Sequence, residues 1–291
     1  MSASFVGDNN SNHVDRSTPL VPESPLSFPD ICARIHDRIS TFLTEETNEQ
    51  NLRSVQEQTR ISLGVISEAL DRYSLPEISL SYNGGKDCLV LLILYLSVLH
   101  SKGLARSTTN NVSSAHHEPI QCVYIQAPHP FTEVETFVTS SVAIYSLSLD
   151  SYAKPMKAAF ADYLHDKPSV KAIFVGTRRT DPHGTDLTHF DPTDHGWPEF
   201  MRIHPVIEWH YVDIWTFIRH LKIPYCVLYD RGYTSLGGTT DTHPNPALLC
   251  QPQTPRGSQT ENGVQNGTST PKFRPAYELV EDQEERLGRD R

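Results

Sequence analysis

The sequence predicts an α/β fold, a mostly parallel sheet with helices on both faces, and two observations carry that expectation. Short β-favouring apolar segments at 78–82, 122–125 and 172–176 alternate with helical stretches at 86–99, 132–145 and 155–164. That order suits parallel strands joined by crossover helices. The first of these strands stops at Asn83-Gly84-Gly85, and a long apolar run starts at once from Lys86 and Asp87, which reads as strand, glycine turn, helix.

The elements follow in order. Residues 1–26 are polar and rich in Ser, Asn and Pro, with too little apolar surface to fold alone, and a disordered tail is expected there. Over 30–73 the pattern is helical, because Leu52, Val55, Leu63, Ile66 and Leu70 recur at helical steps and make one buried stripe. Asn83-Gly84 is a strong hairpin signal. A hairpin needs an alternating second strand, however, and the run from Leu89 to Leu99 does not alternate, so it reads as a buried helix of about three turns. A polar linker over 101–118 precedes the strand at 122–125. A helix over 132–145 follows with Thr132 as its cap, then a short strand at 145–149. Pro155 opens the helix 155–164, and the strand 172–176 runs into Thr177 to Asp181. An irregular stretch reaches Arg202, 206–209 reads as a strand, and 213–221 as a helix capped by Asp213. Residues 27–250 form the predicted α/β domain, 251–272 a flexible low-complexity insert, and 273–291 a charged C-terminal segment.

A glycine turn at a helix N-terminus presents backbone N–H groups at the positive end of the helix dipole, which favours bound phosphate. The spacing is not that of a Walker loop, since the four-residue spacer and the Lys-Ser/Thr ending are missing. In parallel sheets ligands collect beyond the carboxyl ends of the strands. The turns at 83–85 and 177–181 both fall there, so two polar clusters from separate strands are expected to face one crevice.

Bulk properties exclude several function classes. With 25 basic and 35 acidic residues the net charge is -10, a poor balance for sequence-independent nucleic-acid binding. Five cysteines (32, 88, 122, 226, 250) without a Cys-x-x-Cys pair read as thiols of a reducing compartment. No apolar run has membrane-spanning length and the first residues lack a secretory signal, so a soluble cytoplasmic protein off the membrane is expected; a monomer is expected as well, although the sequence itself gives no oligomeric state. His183, His189, His195, His204 and His210 crowd the middle but show no zinc spacing, and read as loop and core histidines.

Ser81-Tyr-Asn-Gly-Gly-Lys-Asp87 resembles the signature of the adenine-nucleotide α-hydrolase superfamily, a Rossmann-like fold that includes the phosphoadenylyl-sulfate reductases. Trp209, Asp213-Ile-Trp215, Pro224-Tyr225, Leu228-Tyr229 and Gly232-Tyr-Thr-Ser-Leu-Gly237 are similar to the same superfamily. Gly176-Thr-Arg-Arg-Thr-Asp-Pro182, Asp194-x-x-Trp197-Pro-x-Phe-Met-Arg202, Asn245-Pro246 and Glu285-Arg-x-Gly-Arg289 resemble the fungal-type FAD synthetases. The likeness covers about 31–291, interrupted at the two polar inserts.

The resemblance implies an enzyme that transfers the adenylyl group of Mg-ATP to FMN, giving FAD and pyrophosphate without a covalent enzyme intermediate. It implies ATP contacts at Ser81, Tyr82, Gly84, Gly85, Lys86, Tyr124, Ile125 and Gly176. Flavin contacts are implied at Arg178, Thr180, Asp181, Asp194, Trp197 and Arg202, and catalytic roles for Asn83, Asp87, Arg286 and Arg289. Asn83 and Asp87 stand open between placing the attacking phosphate and holding Mg²⁺, with Asp87 the named metal candidate; a first-turn carboxylate at the helix dipole is the plainer reading of Asp87. Asp181 is a flavin or metal contact or an Asp-Pro turn residue. Trp197 either stacks on the isoalloxazine or plugs the core. Arg286 and Arg289 steady the leaving pyrophosphate or belong to a solvated tail.

Two rivals come from the same superfamily. A phosphoadenylyl-sulfate reductase needs a cysteine near the chain's end, but the last one is Cys250, and Gly238 stands where iron–sulfur members carry cysteine. A tRNA-modifying ATP pyrophosphatase would want a basic surface and paired cysteines, against the balance found here. No second enzymatic domain of molybdopterin-binding type is expected ahead of residue 31.

Overall fold

Six strands form one sheet in the order β3-β2-β1-β4-β6-β5 in the computed structural model, which describes Leu20 and residues 26–105, 119–250 and 271–290. The strands are β1 (Ile78–Ser81), β2 (Ile120–Ile125), β3 (Leu147–Tyr152), β4 (Ala172–Phe174), β5 (Phe190–Pro192) and β6 (Met201–Ile203). All neighbours pair parallel except the edge strand β5, which runs antiparallel to β6. β1 lies between β2 and β4, so the chain leaves it in opposite directions on its two sides and opens a crevice at its carboxyl end.

Alternation along the strands divides the core. Ile78 and Leu80 of β1, Cys122 and Tyr124 of β2, and Ala172 and Phe174 of β4 face the larger cluster. That face is covered by α1 (Phe28–Thr44), α2 (Gln50–Arg72), α3 (Lys86–Ser101), α4 (Thr132–Tyr145) and α6 (Tyr211–His220). Val123 and Ile173 point the other way, onto Phe160 and Tyr163 of α5 (Met156–Asp166). Ser79 shares that second face, where its hydroxyl accepts the Tyr163 hydroxyl at 2.7 Å. α3 is apolar on all sides because it is enclosed by the sheet and by α1, α2 and α6. No helix among the described residues is long and apolar enough to cross a membrane.

Several local expectations change. The helical pattern over 30–73 is two helices, broken over 45–49 where apolar residues run out, and Gln56 Nε2 caps the end of α1 by donating to Phe42 O at 2.7 Å and Glu45 O at 2.8 Å. The cap of α4 is Phe131 rather than Thr132, whose carbonyl instead accepts the Thr136 hydroxyl. Asp213 sits one turn inside α6 and accepts the His210 N–H at 3.0 Å, so His210 is the cap. The segment 206–209 is a turn with Val206, Ile207 and Trp209 buried and Glu208 exposed, anchored by Trp209 Nε1 donating to Ser62 Oγ at 2.9 Å. Pro205 supplies no N–H for a strand there, and the sheet is continued by Met201–Ile203 instead. The tail 1–19, the linker 106–118 and the insert 251–270 lie outside the described residues.

The segment 271–290 packs back on the loops after α6. Arg274 N–H donates to Leu248 O at 2.8 Å and His243 N–H to Gly288 O at 2.8 Å. Trp215 of α6 meets Tyr225, Tyr229 and Tyr277 edge-on, with ring centroids 5.2, 5.0 and 5.9 Å away.

Candidate active site

Two cavities open where β1, β2 and β4 end. One of about 510 Å³ is lined by Ser81, Asn83, Lys86, Asp87, Gly176, Thr177, Asp181, Asp194, Trp197, Arg202 and Arg286, among others. The second, of about 470 Å³, is lined by Tyr124, Gln126, Pro128, Lys154, Gly237 and Arg289, among others. Asn83, Gly85, Ile125, Met156 and Leu236 belong to both walls, so the cavities meet over the glycine turn.

The turn is built for close approach. Gly84 has φ +73°, and a Cβ there would lie 2.8 Å from Val138 Cγ2 of α4. Gly176, at the end of β4, touches the first turn of α3, and a Cβ on it would stand 2.9 Å from Cys88 N. The amides of the turn are not bare. Gly85 N–H donates to Asn83 Oδ1 at 2.9 Å and Lys86 N–H to the Tyr229 hydroxyl at 2.9 Å. A helix start with a glycine cap leaves donors open, and two nearby oxygens take them.

Beneath the turn lies a buried ionic cluster. Lys86 Nζ is 3.0 Å from Asp87 Oδ2 and 2.5 Å from Glu285 Oε1. Arg178, whose side chain is fully buried, has Nε 2.9 Å from Asp87 Oδ1 and hydrogen-bonds Glu285 Oε2. Asp282 and Asp181 face the same guanidinium at 3.4 and 3.6 Å. The Arg178 Nε and Asp87 Oδ1 pair is close but misaligned for a hydrogen bond, an ion pair only. Burial works against the Lys86 charge, but Asp87 and Glu285 outweigh it and hold the ammonium above its ordinary pKa. Burial likewise pushes the Asp87 carboxyl up, and Lys86 and Arg178 more than reverse this, leaving it below the usual carboxylate range.

The residues proposed from sequence therefore separate. Ser81, Asn83, Gly85, Asp87, Ile125, Gly176, Asp181, Asp194, Trp197, Arg202 and Arg286 line the first cavity, and Tyr124 and Arg289 the second. Tyr82 lies outside both; it is buried, with its hydroxyl on Ser141 Oγ at 2.9 Å. Gly84 is covered by Val138, Thr180 is exposed away from the cavities, and Arg178 is sealed inside the ionic cluster. Lys86 reaches the wall, but its ammonium is turned inward to two carboxylates. Asp181 fills the turn role as well, because its Oδ2 accepts the Arg178 N–H at 2.8 Å. Trp197 packs 6.4 Å from the Phe160 ring on the cavity wall. Asp194 is an exposed partner of His195 at 2.9 Å. Tyr229, Thr234 and Glu285 stand in the blocks that carry the resemblance but received no role from the sequence, and Asp282 lies outside those blocks. Each acts across more than 50 residues of chain, and no local spacing signals such a contact.

Asp87, the metal candidate, does not offer a metal a free oxygen. Both Asp87 oxygens face cations, and no group of three acidic, histidine or cysteine side chains is arranged for a metal among the described residues. Mg²⁺ wants free oxygen ligands.

The family described as phosphoadenosine phosphosulfate reductase domain matches residues 77–169 and 150–244. The chain is 36% identical to a probable FAD synthase of Schizosaccharomyces pombe over 88% of each chain. It is 36% identical to the flavin adenine dinucleotide synthase of Saccharomyces cerevisiae over 72% of each. Among solved structures, the Candida glabrata FMN adenylyltransferase in complex with FAD and inorganic pyrophosphate superposes with a TM-score of 0.79 at 28% identity, covering 93% of this chain and 99% of that one. The mostly parallel sheet, the paired cavities over the glycine turn and these likenesses together place the chain in the FAD synthase family, within the phosphoadenosine phosphosulfate reductase domain fold.

Proposed function

We propose that this protein is an FMN adenylyltransferase, which joins the adenylyl group of Mg-ATP to the phosphate of FMN and releases pyrophosphate. The observation that carries the reading is the meeting of two cavities over Asn83-Gly84-Gly85, with Arg202 and Arg286 in one wall and Arg289 in the other. Adenosine belongs in the cavity at the end of β2, beside Tyr124 and Ile125. The flavin belongs in the cavity lined by Phe160, Trp197, Asp181 and Arg202.

An FMN phosphate oxygen forms a bond to the α-phosphorus of ATP. The bond from that phosphorus to the bridging oxygen breaks, and pyrophosphate leaves with the electron pair. The attacking oxygen is already anionic, so no general base is needed, and the protein's work is alignment and charge stabilisation. Asn83 contributes from the shared wall, and Arg286 and Arg289 face the charge that moves toward the leaving group. The C-terminal segment thereby completes the site. Magnesium enters with the nucleotide as part of the substrate. A thiol mechanism finds no support, because burial pushes the cavity-lining Cys88 thiol up to about 12. We place this activity in the cytoplasm, on a monomer that needs neither membrane nor nucleic acid; the net charge of -10 and the free cysteines support this.

The test is direct. Purified protein with ATP, Mg²⁺ and FMN should yield FAD and pyrophosphate in equal amounts, followed by chromatography and a pyrophosphate assay. Adenylyl transfer to tRNA alone, or thiol-dependent sulfite release without FAD, would overturn the reading.

A further inference from the structure

The basic side chains at the site fall into two groups. Arg202 and Arg286 stand in the wall of one cavity and Lys154 and Arg289 in that of the other, and among the described residues the Arg286 guanidinium has no ion-pair partner. Lys86 and Arg178 are instead shared by two carboxylates, Asp87 at the cavity wall and Glu285 behind. Glu285 is 5% exposed, lies in neither cavity wall, and bridges Lys86 Nζ at 2.5 Å and Arg178 Nη2. Its own carbonyl accepts the buried Thr234 hydroxyl at 2.6 Å, and it immediately precedes Arg286 in the chain. Four carboxylates, those of Asp87, Asp181, Asp282 and Glu285, thus surround two buried cations.

We propose that Glu285 is a positioning residue for adenylyl transfer, drawing the Lys86 ammonium away from the phosphates and fixing Arg286 at the wall. This rests on the function proposed above. A site that gathers two phosphorylated substrates needs positive charge, yet binding that is equal in substrate, transition state and product adds nothing to turnover and slows release of a polyanion. By neutralising Lys86 internally, Glu285 leaves the mobile phosphate charge to the arginines at the wall. A grip on pyrophosphate by every nearby cation at once is thereby avoided.

The experiment measures inorganic pyrophosphate binding by calorimetry, alongside steady-state turnover of ATP and FMN, for wild type, Glu285→Gln, Glu285→Asp and the double variant Glu285→Gln with Lys86→Met. Glu285→Gln removes one buried negative charge at constant shape, so pyrophosphate should bind about fivefold or more tightly while kcat falls by about tenfold. Glu285→Asp should recover part of kcat. The double variant removes both charges and should return pyrophosphate affinity to within about twofold of wild type. A role confined to folding would lower the melting temperature without tightening pyrophosphate binding. The proposal is overturned if folded Glu285→Gln binds pyrophosphate no more tightly than wild type. If Glu285→Gln does not fold, the double variant decides alone: wild-type affinity supports the proposal, and affinity about tenfold weaker overturns it, because Lys86 would then grip phosphate itself. Wild-type protein that makes no FAD would overturn the proposed function instead, an outcome read in a separate assay.

Discussion

Asn83 Oδ1 accepts the Gly85 backbone N–H at 2.9 Å and the Cys88 thiol at 3.0 Å, so both of its lone-pair directions are occupied from within the turn. The amide N–H₂ of Asn83 makes no hydrogen bond among the described residues, and Asn83 belongs to the walls of both cavities. Asn83 therefore offers a donor to substrate oxygen, not an acceptor to a metal. Asn83→Asp keeps the shape and turns that donor into an anion. Turnover should fall by about 100-fold or more, as for other lost transition-state donors, with the thermal midpoint little changed. Retained turnover in this variant, measured as FAD formed per enzyme, would show that the amide donor is dispensable.

Asp87 lies between two buried cations, and its replacement cannot be read as a purely catalytic lesion. A turn carboxylate at a helix start would leave folding nearly intact when removed. The pairs to Lys86 Nζ and Arg178 Nε instead predict that Asp87→Ala is destabilised by about 3–5 kcal/mol at pH 7, besides losing activity. Because the folded pKa is depressed, this contribution is present above the ordinary carboxylate pKa and is lost as pH falls through the lower folded value. Denaturant titrations of both proteins at pH 7 and at about pH 3 check it: the gap should narrow in acid.

Arg289 can be moved without being mutated. A Cβ on Gly237 would stand 2.3 Å from Arg289 Nη2 and 2.4 Å from its Cζ. Gly237→Ala should displace the guanidinium and lower kcat by about tenfold, with a small effect on stability. The same change in an Arg289→Ala background should cost little more, since the two act through one group. Additive losses would separate Gly237 from the arginine.

Asn245 fastens the segment that carries both arginines. Fully buried, it donates to Thr234 Oγ1 at 2.8 Å and to Glu284 O at 2.7 Å, and accepts the Ala247 N–H at 2.9 Å. Asn245→Ala leaves buried groups without partners, at a cost of about 1–3 kcal/mol. Amide hydrogen exchange should rise over 282–290 before it rises in β1 or α3, and kcat should fall with it. Uniform exchange across both regions would contradict a local fastening.

The site was unevenly legible. The Asn83-Gly84-Gly85 turn and the apolar helix behind it could be read because a sharp turn and an enclosed helix each impose composition on neighbouring residues. Asp194, Trp197 and Arg202 were found through a block resemblance and do share one cavity wall. Tyr82 and Arg178 sit inside the same motifs, yet their side chains point into the interior. Motif membership does not say which way a side chain faces. The segment 206–209 reads as a strand because Val206, Ile207 and Trp209 are buried in a turn as they would be in a strand.

By itself the sequence determined the α/β class, the strand–glycine–helix corner and the polar ends of two strands, because backbone freedom and burial period are local properties of the chain. Only the tertiary structure decided how the charges pair. Glu285 reaches Lys86 across 199 residues, and Tyr229 caps the Lys86 amide across 143. Whether a lysine meets phosphate or a carboxylate depends on which distant segments fold against it, and that is a property of packing in three dimensions.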